Sequence, residues 1–318
     1  MPPPPKSLVE TRQPRTPQKE PANFPPRIDP PRGVLQALDN RGSAFFHQRL
    51  APIPALQPYI QHLWFVTWDL RNQPPSLAET LPHPNCYLVF ETGLKPADTK
   101  AEVAGVSTTK FTRRMEAWGQ VFGLKFTPGG LRAFTPTSIS KLTDRVLPAQ
   151  KIFGPTILPL AATINALRNP TEMAHTATIF LEPLIPPSPD PNITLSTQLV
   201  HLILTDPAIL TVESLATRSG YSIRSLQRLF RDYIGTTPKW VIRRYRLHEL
   251  LERLHHPAMP NIAQLAAELG YADQAHLSHD FRRLSGYTPQ QYRKHSRKIA
   301  QTPPHPQHPT PHADTTIE

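Results

Sequence analysis

The sequence of 318 residues contains a single cysteine, Cys86. One cysteine can form neither an intramolecular disulfide bond nor a cysteine-rich zinc site. Small domains held together by disulfide bonds or by cysteine-bound zinc are therefore excluded. No run approaches the roughly 18 apolar residues that a membrane-spanning helix needs. The first residues also lack the apolar core of a secretory signal. We expect a cytoplasmic protein that makes no contact with a membrane.

Acidic residues are scarce as well. The chain has 24 Asp and Glu against 35 Lys and Arg, which gives a net charge of +11 and an isoelectric point near 9.9. The excess is uneven, because residues 195–298 contain 15 basic and 8 acidic residues, whereas residues 34–182 contain 14 and 10. A polyanionic partner would favour such a concentration of positive charge. A basic surface can also be merely solvated, so charge alone does not decide the function.

Large apolar residues are rare at both ends of the chain. Residues 1–33 contain 11 prolines and few larger apolar side chains, so they cannot bury a core, and we predict a disordered tail. Residues 298–318 are predicted to form a second such tail. Two weaker alternatives are a docking site for a proline-binding module at the N-terminus and metal binding by the C-terminal histidines.

Residues 34–154 are predicted to form a mostly β domain, a small barrel or sandwich. Short segments rich in aromatic and β-branched residues alternate there with Pro, Gly and Asn turn signals. The candidate strands are Ala44–Leu50, Leu63–Trp68, Cys86–Glu91, Glu102–Val106 and Gly119–Phe126. We also expect a short helix at Pro54–His62 and helical turns at Gly129–Phe134 and Thr137–Leu142.

A helical connector is predicted at residues 155–182, where apolar residues recur at helical spacing. Five prolines from Pro183 to Pro191 then indicate a semi-rigid linker over residues 183–194. The apolar positions between Ile157 and Leu184 would either pack on the chain's own β domain or hold a homodimer together. The expected fold class is α+β multidomain, with a β-rich N-terminal domain followed by an all-α C-terminal module.

Few residues of the N-terminal domain are candidates for a ligand, metal or catalytic site. Four aromatic residues could line an apolar ligand pocket, although core packing explains each equally well. They are Trp64, Trp68, Tyr87 and Phe90. His47, His62 and His83 lack close metal-ligand spacing, so no metal site is predicted. Cys86 lies in an apolar run and is expected to be inert. The turn Phe126–Gly130 lacks the Lys-Ser/Thr of a phosphate loop. No catalytic residue and no cofactor are indicated.

The most informative stretch, Thr211–Arg293, contains one motif twice. The first copy starts at Val212 and the second at Ile262. Each copy continues through a Gly-Tyr pair, a Leu, a Phe and a Gly-x-Thr-Pro end. The offset between the copies is 50 residues up to the Gly-Tyr pair and 51 after it, so the second copy has one extra residue in its turn. Two long matches in the same order are unlikely to arise by chance.

Each copy predicts a helix-turn-helix. Val212, Leu215 and Ala216 form one apolar face of a short first helix. Gly220 and Gly270 would end the first helix of each copy in the left-handed conformation, and Ser222 and Asp273 are good N-caps for the second helix. The second helix should bury Leu226, Leu229 and Phe230 in the first copy, and Leu277, Phe281 and Leu284 in the second. Its outward face would carry Arg224, Gln227, Arg228 and Arg231, or Gln274, Ser278, His279 and Arg282.

An ordinary helical bundle can contain one such helix pair, but the repetition and the polar outward faces favour DNA binding. A long helix from Pro238 to Leu254 is predicted between the copies. Its length would be about 26 Å at 1.5 Å per residue, close to one turn of B-DNA at about 34 Å. A rigid rod of that length could hold two recognition helices near successive major grooves.

Residues 195–297 resemble the DNA-binding module of AraC/XylS-type transcription regulators. The resemblance lies in the Gly-Tyr-Ser and Leu-Gln-Arg-Leu-Phe of the first copy and in the run from Gly270 to Pro289. It implies two helix-turn-helix units joined by a long helix, with double-stranded DNA as the partner. The family's base-contacting positions fall on Arg224, Gln227, Arg228, Gln274, Ala275, Ser278 and His279.

Phosphate contacts, which set register rather than sequence preference, are expected from a second group. It comprises Ser222, Arg231, Lys239, Arg243, Arg282 and Arg293. The resulting hypothesis is a sequence-specific transcription regulator and not an enzyme, with RNA polymerase and a small-molecule effector as further partners. The segments Leu81–Phe90 and Val121–Gly130 resemble an uncharacterised domain found ahead of AraC-type modules, which brings no known ligand.

Two other functions are weighed against this hypothesis. A DNA-targeted repair enzyme would need a reactive cysteine beside a relay of charged groups, and Cys86 between Asn85 and Tyr87 has no such context. An architectural protein would bind DNA without sequence preference. The outward glutamine and serine side chains beside arginine argue for base contacts instead.

Overall fold

The computed structural model describes residues 34–36, 44–93, 100–255 and 261–301, without the side chains of residues 34, 36, 295 and 297–301. The predicted tail at residues 1–33 lies outside the described residues, as does most of the one at residues 298–318. Among the described helices, none has the length and apolarity that crossing a membrane requires.

Two antiparallel sheets form the N-terminal half. The larger sheet has the strand order β2-β3-β8-β5-β6-β9 and the smaller one β1-β4-β7. The strands are β1 (Val34–Gln36), β2 (Phe45–Leu50), β3 (Ile60–Leu70), β4 (Ser76–Thr80), β5 (Tyr87–Gly93), β6 (Lys100–Ala104), β7 (Phe111–Met115), β8 (Ala117–Phe126) and β9 (Val146–Pro148). The β-rich domain predicted from the sequence is therefore confirmed.

Helices follow from residue 150 onward. They are α1 (Gln150–Phe153), α2 (Ile157–Ala166), α3 (Pro170–Leu181), α4 (Pro191–Thr205), α5 (Val212–Ser219), α6 (Ile223–Leu229), α7 (Pro238–His255), α8 (Ile262–Glu268), α9 (Gln274–Ser285) and α10 (Pro289–Gln301). Short 3-10 turns lie at Pro54–Leu56, Gly130–Ala133, Ile139–Lys141 and Glu182–Leu184, and a π-turn at Phe230–Ile234 extends α6.

The predicted helix at Pro54–His62 is wrong. Only a single 3-10 turn forms there, and the chain enters β3 at Ile60, opposite Phe126 of β8. Two prolines remove backbone donors that a helix would need, and pairing with β8 favours an extended chain. The five predicted strands are confirmed with shifted ends, but β1, β4, β7 and β9 were not predicted. The sequence of β7, Phe-Thr-Arg-Arg-Met, lacks apolar alternation because most of its side chains reach solvent.

The larger sheet has two different faces. Its outer face carries Leu63, Phe65, Leu88, Phe122 and Leu124, which pack against α2 and α3 in one continuous core. The helical connector thus packs on the chain's own β domain. The opposite face, which we call the inner face, points toward the smaller sheet. Trp64, Val66, Trp68, Val89 and Val121 lie on it and pack near Met115 of β7.

The Pro-rich linker is shorter than predicted, because α4 already begins at Pro191. Asp190 caps this helix by accepting a hydrogen bond of 2.9 Å from the Asn192 backbone N–H, and proline occupies the first helical position. The start of α4 packs on the N-terminal core through Ile193, and its later turns pack on the first helix-turn-helix through Leu199. The helix therefore belongs to both halves of the molecule.

The long helix α7 is confirmed and is shared between two cores. Val241 and Ile242, in its first half, are buried with α5 and α6. Leu250 and Leu251, in its second half, are buried with α8, α9 and α10. Each fully buried leucine or isoleucine contributes about 1.5–3 kcal/mol of transfer free energy. Both helix-turn-helix units are consequently fixed to a single rod of about 27 Å, at 1.5 Å for each of 18 residues.

Candidate nucleic-acid interface

The first helix-turn-helix is held by local capping. The Thr211 and Ser214 side chains form a capping box at the start of α5, with a hydrogen bond of 3.0 Å from the Ser214 N–H to Thr211 Oγ1. Gly220 ends α5 with φ +74°, a conformation that glycine adopts without strain. The Ser222 hydroxyl then accepts from the Ser225 N–H at 3.2 Å and starts α6. The predicted cap Ser222 and the predicted helix end at Gly220 are confirmed, whereas the capping box at Thr211 was not predicted.

Helix α6 presents a polar face to solvent. Leu226, Leu229 and Phe230 are buried in the core of the first unit, as predicted. The predicted base-contacting side chains of Arg224, Gln227 and Arg228 are all exposed on the remaining face. Tyr221 and Ile223 also stand exposed at the start of the helix, at 43% and 36%. N-terminal residues of a recognition helix are those that contact base edges, so this pair extends the candidate surface.

The second helix-turn-helix repeats this arrangement. Asp273 caps α9 by accepting a hydrogen bond of 2.7 Å from the His276 N–H, and Gly286 ends the helix with φ +86°. The predicted core residues Leu277, Phe281 and Leu284 are buried. Of the predicted base-contacting residues, Gln274, Ala275 and His279 are exposed and Ser278 is half-buried.

A buried polar network ties α9 to α7. Asp280 is 4% exposed and accepts hydrogen bonds from Arg243 Nε at 3.0 Å and from the Tyr271 hydroxyl at 3.2 Å. Burial raises the pKa of Asp280, but the hydrogen bond and charge of Arg243 outweigh burial and lower the pKa overall. Arg243 therefore holds the recognition helix of the second unit in place.

The six predicted phosphate-contacting residues fall into two groups. Four are exposed: Ser222, Arg231, Lys239 and Arg282. The other two are engaged within the protein, because Arg243 forms the ion pair with Asp280 and Arg293 is only 6% exposed. Arg293 is too buried to reach a phosphate, and Arg243, although its side chain is 35% exposed, is committed to Asp280, so the structure gives neither residue support for that role.

The candidate ligand residues of the N-terminal domain do not lie together. Trp64, Trp68 and Tyr87 share the inner face of the larger sheet, whereas Phe90 lies on the outer face in the helix-covered core. The three histidines also separate. His47 and His62 lie on the inner face, while the ring of His83 packs edge-on against that of His248 in α7, with centroids 4.6 Å apart.

The N-terminal domain contacts both helix-turn-helix units. The hydroxyl of Thr143 donates to the Gly235 carbonyl at 2.6 Å, next to the first unit. Lys110 Nζ donates to the Ser285 carbonyl at 3.3 Å, at the end of α9. Leu81, which is fully buried, belongs to the core of the second unit. The β domain therefore braces the module at both ends.

Comparison with known proteins agrees with this geometry. A family described as "Helix-turn-helix domain" matches residues 215–295, and one described as "Domain of unknown function (DUF6597)" matches residues 48–148. The regulatory protein SoxS of Escherichia coli (strain K12) is 38% identical over 84 residues, which cover 26% of this chain and 78% of SoxS. The chain belongs to the AraC family of transcription regulators.

Other relatives match this AraC-type chain over one module. The RCS-specific HTH-type transcriptional activator RclR of Escherichia coli (strain K12) is 37% identical over 90 residues, and the chain spans only 31% of the length of RclR. A solved AraC-type DNA-binding domain-containing regulator from Chromobacterium violaceum is 27% identical, with coverage of 35% of this chain and 95% of that one and a TM-score of 0.30.

Two residues of this AraC-type regulator were not singled out from its sequence. Arg244 and His248 of α7 are 5% and 1% exposed. Arg244 donates to the Thr108 carbonyl at 3.1 Å, and His248 Nε2 lies 3.2 Å from the Pro82 carbonyl. Their positions, three and seven residues after the buried Val241, lie on the apolar stripe of the helix. Polar residues at core spacing could have revealed this contact with the β domain.

Proposed function

We propose that the chain is a sequence-specific DNA-binding transcription regulator. One observation carries the proposal: exposed Arg224, Gln227 and Arg228 line the outward face of α6, whose opposite face is buried against the α7 rod. Arginine offers bidentate contacts to guanine and glutamine to adenine in the major groove. Exposed Gln274 and His279 repeat the arrangement on α9. Relatives named as activators favour activation over repression.

The direct test is selection of DNA from a random pool by the full chain, at a stated salt concentration. Enrichment of two short motifs about 10–10.5 base pairs apart is expected if both units contact bases. Enrichment of only one motif would limit base contacts to one unit. The second unit is then the one expected to lack base contacts, because the side chain of Ala275 cannot donate a hydrogen bond. Recovery of unselected sequences would contradict the proposal and favour an architectural protein.

Two substitutions separate base contacts from phosphate contacts. Arg228→Ala should cost about 1–3 kcal/mol at the selected site and relax the preference at one base position. Lys239→Ala should weaken binding to all sequences alike and reduce the salt dependence by about one phosphate contact. Both side chains are exposed, so neither change should disturb folding. If Arg228→Ala lowered the affinity for unrelated DNA sequences equally, that result would contradict a base-contacting role for Arg228.

Control by a small-molecule effector is the second part of the proposal. The N-terminal domain contacts α7 through Thr108 and Pro82, so a change in that domain reaches the rod that carries both recognition helices. RNA polymerase and a second copy of the chain are further proposed partners, and the cytoplasm is the proposed location. The test is DNA affinity of the Arg244→Ala variant. An affinity equal to that of the parent would argue against control through this contact.

Catalysis is not part of the proposal. Burial raises the pKa of the Cys86 thiol to about 12, so the nucleophilic thiolate that a repair enzyme needs would be a negligible fraction near neutral pH. The family members named above are transcription regulators. Incubation with alkylated DNA should leave the mass of Cys86 unchanged.

A further inference from the structure

The two helix-turn-helix units differ at the first turn of their recognition helices. Ser222 and Asp273 are the N-caps of α6 and α9, so Ile223 and Gln274 occupy equivalent first positions of the two helices. Gln274 is one of the predicted base-contacting residues, whereas the apolar, β-branched Ile223 is not. The repeat therefore places an isoleucine where the other unit has an amide that is proposed to contact a base.

Ile223 lies within the surface that is proposed to contact DNA. Its side chain is 36% exposed. Residues four apart are neighbours on the surface of a helix, so Ile223 adjoins Gln227, and both Arg224 and Arg228 are exposed on the same side of α6. A single exposed apolar residue is ordinary on a protein surface, but this one stands among the predicted base-contacting residues.

The turn before α6 also exposes an aromatic side chain that the second unit buries. In the second unit, Tyr271 is 7% exposed and its hydroxyl donates to Asp280 at 3.2 Å. The offset of 51 residues places Leu229 at the position of Asp280 in the first unit, and Leu229 offers no acceptor. Tyr221, the counterpart of Tyr271, is 43% exposed. Exposed apolar surface in the first unit thus extends over Tyr221 and Ile223.

The chemical group that fits this surface is the 5-methyl group of thymine. Thymine carries the apolar group that bases present in the major groove of DNA, and apolar side chains contact it. Electrostatics favour DNA over a protein as the occupant. Arg224 and Arg228, on either side of Gln227, have no ion pair within the described part of the chain, so a polyanion complements the charge around Ile223.

We propose that Ile223 recognises a thymine by contact with its 5-methyl group. This contact rests on the proposed DNA-binding function and adds to it a base preference that needs no hydrogen bond. Because Ile223 and Gln227 are neighbours on α6, the thymine lies at or next to the base pair that Gln227 contacts. Ala275, the apolar residue at the start of α9, carries only one methyl group, so the larger apolar contact belongs to the first unit.

The test uses the full chain and the DNA site recovered from the random pool. Each thymine of the site is replaced in turn by deoxyuridine, which lacks the 5-methyl group and keeps the hydrogen-bonding groups of the base. At one position the affinity should fall about fourfold, the effect of losing one buried methyl group. Ile223→Ala should bind thymine and uracil at that position equally well. Its salt dependence should equal that of the parent, because no phosphate contact is lost.

Two further variants separate this contact from a general disturbance of folding. Ile179→Ala is the matched control, because Ile179 lies on α3 in the N-terminal half and is 59% exposed, and it should keep the preference for thymine over uracil. Ile223→Gln gives α6 the residue that α9 has at this position. It should shift the preferred base at that position from thymine toward adenine, a new preference that misfolding cannot produce.

Several results would overturn the role of Ile223. A selected site without thymine, or one in which uracil replaces every thymine without loss, would overturn it and leave the proposed DNA-binding function standing. A loss that persists in Ile223→Ala would do the same, because the effect would then arise from the stiffness of the DNA itself. Retention of the thymine preference by Ile223→Gln would also contradict it. Recovery of unselected sequences would reject the proposed function and this contact together.

Discussion

Removing the Asp280 carboxylate should loosen the second recognition helix. Asp280→Ala deletes the acceptor of Arg243 and Tyr271 in the core between α7 and α9. Breaking a fully buried ion pair costs about 3–5 kcal/mol, but water can solvate a partly exposed partner. The Arg243 side chain is 35% exposed. We therefore expect a loss of about 2–3 kcal/mol, the range of one or two hydrogen bonds to a charged group.

Urea unfolding of the full chain, followed by circular dichroism, measures this loss. Arg283→Ala is the control, because its guanidinium lies 3.6 Å from Asp280 but is 70% exposed, and it should cost less than about 0.5 kcal/mol. The lowered pKa of Asp280 means that its contribution is fully present above about pH 4 and is lost as the pH falls through the folded value. A loss for Asp280→Ala no larger than the control's, or one independent of pH, would refute the reasoning.

Three further outcomes are expected. Gly123→Ala should cost about 1–3 kcal/mol in thermal unfolding, because its methyl group would overlap the Trp64 indole; an unchanged midpoint would disprove that contact. Cys86 should resist iodoacetamide at pH 8 in the folded chain and react in urea, as judged by mass shift, because burial raises its pKa to about 12. Leu81→Ala should cost about 2–5 kcal/mol, since Leu81 is fully buried against the second unit. Leu77→Ala, at a residue 44% exposed, should cost little stability. Equal losses of unfolding free energy for Leu81→Ala and Leu77→Ala would contradict the burial of Leu81 against the second unit.

The sequence predicted the DNA-binding module well because its structure is locally encoded. The caps Thr211, Ser222 and Asp273 satisfy backbone donors within three residues, and Gly220 ends its helix through its own backbone freedom. Apolar spacing then identifies the buried face without any long-range contact. The second copy is encoded locally in the same way, because its additional turn residue leaves the N-cap Asp273 of α9 in place.

Long-range pairing explains what could not be predicted. The strand β7 shows no apolar alternation, and it forms because β4 pairs with it from Ser76↔Met115 to Thr80↔Phe111. Pro54 is compatible with the first turn of a helix, but Pro58 lacks a backbone donor that a longer helix would need, and β8 pairs with the chain from Ile60 onward. The aromatic residues proposed for one pocket divide because alternate residues of β5 point to opposite faces, so Tyr87 and Phe90 separate.

Helix α7 is shared by the two helix-turn-helix units, so a displacement of this helix affects both of them. Its apolar stripe is divided between the two units, so a shift of α7 along its axis would disturb both cores at once. Its polar residues Arg244 and His248 instead face the β domain, through hydrogen-bonding contacts at carbonyl groups that depend on direction and distance. Close-packed cores resist small displacements. Arg244 and His248 are buried as well, so separating either from its carbonyl partner would leave a buried polar group unpaired at a cost of about 1–3 kcal/mol. A change in the β domain is therefore expected to displace α7 rather than to be absorbed at this interface, and the two recognition helices would then move as one body.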